Sequence, residues 1–170
     1  MNGIGVESRS GRLGIALRGS AGGECFVKII LVSHGRFSQG LKDGVQMLLG
    51  PQEDIEAFIL SAEEPPTELG ARLAAALSPE DEGNSVFFTD LYFGSPFNQV
   101  VELSRTHDIY HVTGVNLPAL LEAVVVRNSG QSCEEVVAAA MAASEGSIKD
   151  VRKLLAEQVN EDMGEEEEWR

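Results

Sequence analysis

A histidine stands where an apolar run stops: residues 27–38 read VKIILVSHGRFS, with His34 at the point of change. Further on, SVFFTD ends in Asp90, and GSPFN follows with Ser95. A carboxylate that accepts one ring N–H of a histidine fixes its tautomer and leaves the other nitrogen a lone pair for nucleophilic attack. That is the orienting half of a triad, without a serine in front of it. Gly35 next to the histidine lets backbone come close. A helix starting near Arg36 would offer unpaired N–H groups and the positive end of its dipole. Ser95, at the mouth of a later helix, offers a hydroxyl and a second such helix start. The set suits a phosphoryl group carried on His34, with Asp90 orienting it and Gly35 and Ser95 binding phosphate, and it calls for no metal or cofactor. The lysine of a Walker loop and the G-x-G-x-x-G of dinucleotide sites are missing, which argues against an ATP enzyme.

Those residues are useful only if elements bring them together. Val27–Ser33 is a short Val/Ile-rich run that fits a strand buried on both faces. After it, Phe37, Leu41, Val45 and Leu48 recur at helical spacing and predict one buried face, closed by Gly50-Pro51. Asp54–Leu60 is a second strand, followed by a helix opened at Pro65-Pro66 with Leu69, Leu73 and Leu77 in line. Ser85–Asp90 is the third strand. Ser95 reads as the N-cap of the next helix and Pro96 as its first residue. Asp108–Thr113 is the fourth strand. Asn116 caps a helix over Leu117–Arg127, and Ser132 with Glu135 forms a capping box for an alanine-rich helix to about Ala143. The stretch Gly146–Val151 reads equally as a short strand or the start of a last helix.

Four strands alternating with helices predict an α/β fold with an open, doubly wound, mainly parallel sheet. Its expected strand order is 2-1-3-4, with an extra C-terminal strand possible near residues 147–152. In such sheets sites form beyond the carboxyl ends of the strands where the order reverses, here between strands one and three. Adjacent strands lie roughly 4.8 Å apart, so His34 and Asp90 fall within reach of each other.

The 170 residues suit one domain and carry a net charge of −14. Residues 1–26, rich in Gly, Ser and Arg, read as a flexible extension of net charge +1. Residues 27–156 are the domain. Residues 157–170 read as an acidic, disordered tail of net charge −6. An acidic body without a basic stripe argues against a nucleic-acid partner. Two cysteines, no secretory h-region and no apolar run long enough for a bilayer fit a cytoplasmic protein.

In this order, LVSHG with a QMLLG helix, then TDLYFGSPFN, then VTGVNLPALLEA, the chain resembles the IIA component of the mannose family of sugar phosphotransferase systems. The resemblance covers about residues 27–130. It implies a doubly wound dimeric protein that takes a phosphoryl group from the histidine phosphocarrier protein HPr. The group would pass to a IIB component, with IIC and IID membrane components served indirectly. It also implies that His34 is phosphorylated, on the ring nitrogen facing away from Asp90, that Asp90 orients it and that Ser95 contacts the phosphate. In some relatives a C-terminal strand crosses to the second subunit, and Ile148–Val151 stands where that strand would be. A tryptophan-Gly-Gly type loop of the family reads Leu91-Tyr92-Phe93-Gly94 here. An alternative within the same chemistry is a regulatory module that binds other proteins according to its phosphohistidine state. His107 and His111 read as structural. Tyr92, Phe93 and Phe97 read either as core or as an exposed aromatic rim for docking.

Overall fold

A computed structural model describes residues 27–157. The expected extension at 1–26 and nearly all of the expected tail at 157–170 lie outside the described residues. Four strands, β1 (Lys28–His34), β2 (Ile55–Leu60), β3 (Ser85–Thr89) and β4 (Tyr110–Thr113), form one sheet in the order β2-β1-β3-β4. Every neighbouring pair is parallel. The helices α1 (Phe37–Leu49), α2 (Pro66–Ala75), α3 (Ser95–Leu103), α4 (Leu117–Asn128) and α5 (Cys133–Ser144) connect and follow them. The fold and strand order expected from the sequence are those observed.

Strand β1 is the axis of the sheet, and its middle is fully buried because both faces are covered. Ile29 and Leu31 point to one side, with Val86, Phe88 and Val112, and meet α1, α4 and α5. Ile30 and Val32 point to the other, with Phe87, and meet Leu69 and Leu73 of α2 and Val100 and Leu103 of α3. The alternation follows from the two-residue period of a strand. Burial of these Ile, Leu, Val and Phe side chains, each contributing about 1.5–3 kcal/mol, anchors β1 in both halves of the core. Whatever sits at its end is therefore attached to a buried, well-packed strand.

The buried stripe of α1 is Ser38, Leu41 and Val45 rather than Phe37, Leu41, Val45 and Leu48. Phe37 and Leu48 are 47% and 59% exposed. The reason is a satisfied polar residue: Ser38 Oγ donates to Phe58 O at 2.9 Å, which lets a serine take an inward position that apolar periodicity assigns to a phenylalanine. Asn116 caps α4 through Ala119 N–H at 2.9 Å, and Ser132 and Glu135 form the expected capping box on α5.

The C-terminal segment departs from the strand alternative. No strand forms near residues 147–152, and residues 151–157 are helical. Asp150 decides this locally: its Oδ1 accepts from Arg152 N at 3.1 Å and from Lys153 N at 3.3 Å, an N-cap that starts a helix. Ile148 before it and Val151, Leu154 and Leu155 along it stay exposed. Among the described residues no helix is long and apolar enough to cross a membrane.

At the opposite end from His34, Arg127 closes the base of the sheet. It is 9% exposed, and its guanidinium donates to Glu53 O at 2.9 Å, to Gln52 Oε1 at 3.0 Å and to Asn128 Oδ1 at 2.9 Å. These bonds tie the end of α4 to the loop that enters β2. Arg127→Ala removes the bonds that join α4 to this loop and leaves a void where the buried guanidinium stood. Urea denaturation should show a loss of about 2–4 kcal/mol.

Candidate functional site

The carboxyl end of β1 leads into a turn that the sequence SHGR builds by itself. Ser33, almost fully buried, donates through Oγ to Gly35 O at 3.1 Å and accepts from Ser38 N at 2.7 Å. One of the orphan N–H groups of the first turn of α1 is thereby satisfied. Gly35 has a φ of +52°, a left-handed conformation that glycine takes without cost, and a Cβ there would meet nothing within 4 Å. Its N–H donates to Leu60 O at 2.9 Å and is not free for a ligand. The turn reverses the chain sharply and leaves His34 standing at the sheet edge, its side chain 45% exposed.

Asp90 follows β3 on the neighbouring strand, its side chain 15% exposed. Its Oδ2 lies 2.9 Å from His34 Nδ1 and also accepts the backbone N–H of His34 at 2.9 Å. The other oxygen accepts Leu91 N–H at 2.9 Å. A carboxylate is an acceptor only, so the ring nitrogen facing it carries the proton and Nε2 is left with the lone pair. The two groups thus meet between the strands where the sheet order reverses.

Helix α3 begins beside that nitrogen. Gly94, not Ser95, is the residue before the helix, and Ser95 and Pro96 occupy its first turn. Ser95 is half-buried, and its hydroxyl is not used as a cap. The first intrahelical bond runs from Asn98 N to Gly94 O. The N–H groups of Ser95 and Phe97 have no acceptor within the helix, and Pro96 brings none. Gly94, the residue before α3, lies against the imidazole, so the start of the helix, with its unpaired N–H groups and the positive end of its dipole, stands beside His34.

His111 lies one strand away. Its Nε2 is 2.9 Å from Thr89 Oγ1, and its ring lies 5.1 Å from that of Phe97. Burial pulls its pKa down to about 4, so the ring is neutral at pH 7. Unfolded, the same imidazole binds a proton near pH 6.5. Between these values the unfolded chain holds more protons than the folded one, so acidification favours unfolding. Stability measured by urea denaturation should fall as the pH drops from about 6.5 to about 4, and His111→Gln should show a shallower fall over that window. His107 is engaged elsewhere, 2.6 Å from Glu82 Oε1.

The family model EIIA-man, described as PTS system fructose IIA component, matches residues 28–141. The chain belongs to the EIIA-man family. It is 30% identical over 128 residues to the mannose-specific EIIAB component of Escherichia coli K12, covering 74% of this chain but only 40% of that protein. It is 27% identical over 139 residues to the sorbose-specific EIIA component of Lacticaseibacillus casei, covering 80% of this chain and 99% of the relative. Among solved structures, a phosphotransferase system component EIIA from Streptococcus agalactiae superposes with a TM-score of 0.68 at 28% identity, over 75% of this chain and 98% of that one.

Within this EIIA-man chain the segment joining Asp90 to α3 forms an exposed rim. Leu91, Tyr92 and Phe93 are 59%, 59% and 70% exposed, and the Tyr92 and Phe93 rings lie 4.0 Å apart. Phe93 has a φ of +59°, a left-handed conformation that costs a non-glycine residue roughly 1 kcal/mol. Two residues close to His34 were not singled out from the sequence. Ser33 had one signal, a polar residue ending an apolar run five positions before Ser38. Gly94 had none beyond its place before Ser-Pro.

Proposed function

We propose that this chain is the phosphoryl-transfer subunit of a sugar phosphotransferase system. It accepts a phosphoryl group from the phosphohistidine of HPr on His34 Nε2 and yields it to a IIB component. Sugar uptake and phosphorylation then follow at the IIC and IID membrane components. The observation that carries this reading is the imidazole of His34, its Nδ1 2.9 Å from Asp90 Oδ2, within the region matched by the family model.

In the transfer, the Nε2 lone pair forms a P–N bond as the P–N bond to the donor histidine breaks. The donor nitrogen keeps the electron pair of its broken bond and takes a proton from solvent. The proton stays on His34 Nδ1, donated to the Asp90 carboxylate, whose negative charge offsets the positive charge that develops on the ring. The first-turn N–H groups of α3 and the Ser95 hydroxyl hold the phosphoryl oxygens. Gly35 serves by shaping the turn rather than by giving its own N–H. Since a P–N bond is exchanged for another, the step is close to thermoneutral and reversible. Alignment and anion stabilisation then supply most of the acceleration.

The rim of Leu91, Tyr92 and Phe93 is the surface that a partner protein must meet to bring its phosphorus to Nε2. A cytoplasmic location follows from the donor. The exposed apolar residues at 148–155 favour self-association, and a homodimer is part of the proposal.

The test is direct. Incubated with phosphoenolpyruvate, enzyme I and HPr, the protein should take up one phosphoryl group as an acid-labile, alkali-stable adduct. No adduct under conditions in which HPr itself is labelled would refute the reading.

A further inference from the structure

Two glycines flank the imidazole, and they are glycines for different physical reasons. Gly35 is set by conformation: φ is +52°, and the space about a Cβ is empty. Gly94 is the reverse. Its φ of −70° and ψ of 165° are extended backbone open to any residue. A Cβ there, however, would stand 2.7 Å from His34 Cε1, 3.5 Å from His34 Nε2 and 3.2 Å from Leu91 O. The first distance is far inside van der Waals contact. The missing side chain is therefore required by the imidazole and not by the chain's path.

We propose that Gly94 is a positioning residue for His34, its bare α-carbon forming the wall on which the Cε1 edge of the ring rests. This deepens the function proposed above and rests on it. Cε1 lies between the two ring nitrogens, so contact on that edge acts on both. On one side Nδ1 stays at 2.9 Å from Asp90 Oδ2. On the other, Nε2 is kept at the start of the helix that Gly94 itself precedes, so nitrogen and anion donors are gauged from one backbone atom. A methyl group at 94 must push aside the more yielding neighbour. That is the imidazole, which is 45% exposed and swings about two single bonds, rather than the Leu91 carbonyl, which accepts Gly94 N–H at 3.1 Å. A ring displaced by about 1 Å loses in-line alignment, worth about 100-fold in rate.

The experiment compares wild type with Gly94→Ala. Phosphoryl transfer from HPr at saturating donor should fall about 100-fold, with the donor concentration for half-maximal rate little changed. Thermal unfolding should be nearly unaltered. A long-range proton–nitrogen spectrum at mildly alkaline pH should show His34 as one tautomer, protonated on Nδ1, in wild type and as a mixture in the variant. In a His34→Ala background the wall faces empty space, and adding Gly94→Ala should leave thermal unfolding unchanged. Wild-type rates with unchanged His34 signals would overturn the proposal. So would a Gly94→Ala protein that fails to fold, since the clash would then fall on the Leu91 carbonyl. If wild type takes up no phosphoryl group, the function proposed above is lost. The His34 spectra of the two proteins still decide whether Gly94 positions the ring.

Discussion

His34→Ala should take up no phosphoryl group from HPr, a loss limited only by the detection of label. The other described histidines cannot stand in for it. His111 is half-buried against Phe97, with its Nε2 on Thr89 Oγ1. His107 is tied to Glu82. Neither stands at the start of a helix beside an orienting acid at the reversal of strand order. The fold should be kept, because the side chain of His34 is 45% exposed and contributes little to the core. Circular dichroism and urea denaturation would confirm that, and the loss of label would then be chemical rather than structural. Full labelling of His34→Ala would remove the residue from the mechanism.

Asp90→Asn should slow transfer by about 10²–10⁴-fold while keeping the fold. Asparagine is nearly the same size, and its one oxygen still accepts one of the two N–H groups, of His34 or of Leu91, that Asp90 takes on separate oxygens. Yet an amide is neutral, so it does not balance the charge that grows on the ring as phosphorus arrives. It can also turn its NH₂ toward Nδ1, which moves the proton to Nε2 and hides the attacking lone pair. The effect should lie in the rate at saturating HPr. Single-turnover labelling followed by rapid quench would measure it. A rate within twofold of wild type would mean that Asp90 merely closes the loop by accepting the backbone N–H of His34 and Leu91.

Much of this molecule was legible before any coordinates. Strand β1 was visible because a strand buried on both faces must be a continuous apolar run, and VKIILVS is one. The order 2-1-3-4 was expected of a doubly wound sheet, and the caps at Asn116 and Ser132 follow from local side-chain-to-backbone bonds that need no distant partner. The misjudged face of α1 is a case where a distant atom decided. Ser38 turned inward because Phe58 O, 20 residues away in sequence, was there to receive its hydroxyl. That rotated α1 and exposed Phe37 and Leu48. The helix at 151–157, left undecided, was settled by the carboxylate of Asp150 next to it.

The sequence by itself determined which residue types reach the sheet edge: a histidine after one apolar strand and an aspartate after another, since strand ends and helix starts are written in local pattern. Only the tertiary structure decided how closely they meet, because the separation of 56 positions from His34 to Asp90 sets no distance until the strands pair. It alone also separated two glycines that look alike on paper. Gly35 answers to its own torsion angle, whereas Gly94 answers to a ring brought to it by a strand 60 positions earlier. Local preference is a property of neighbours in the chain, and contact is a property of neighbours in space.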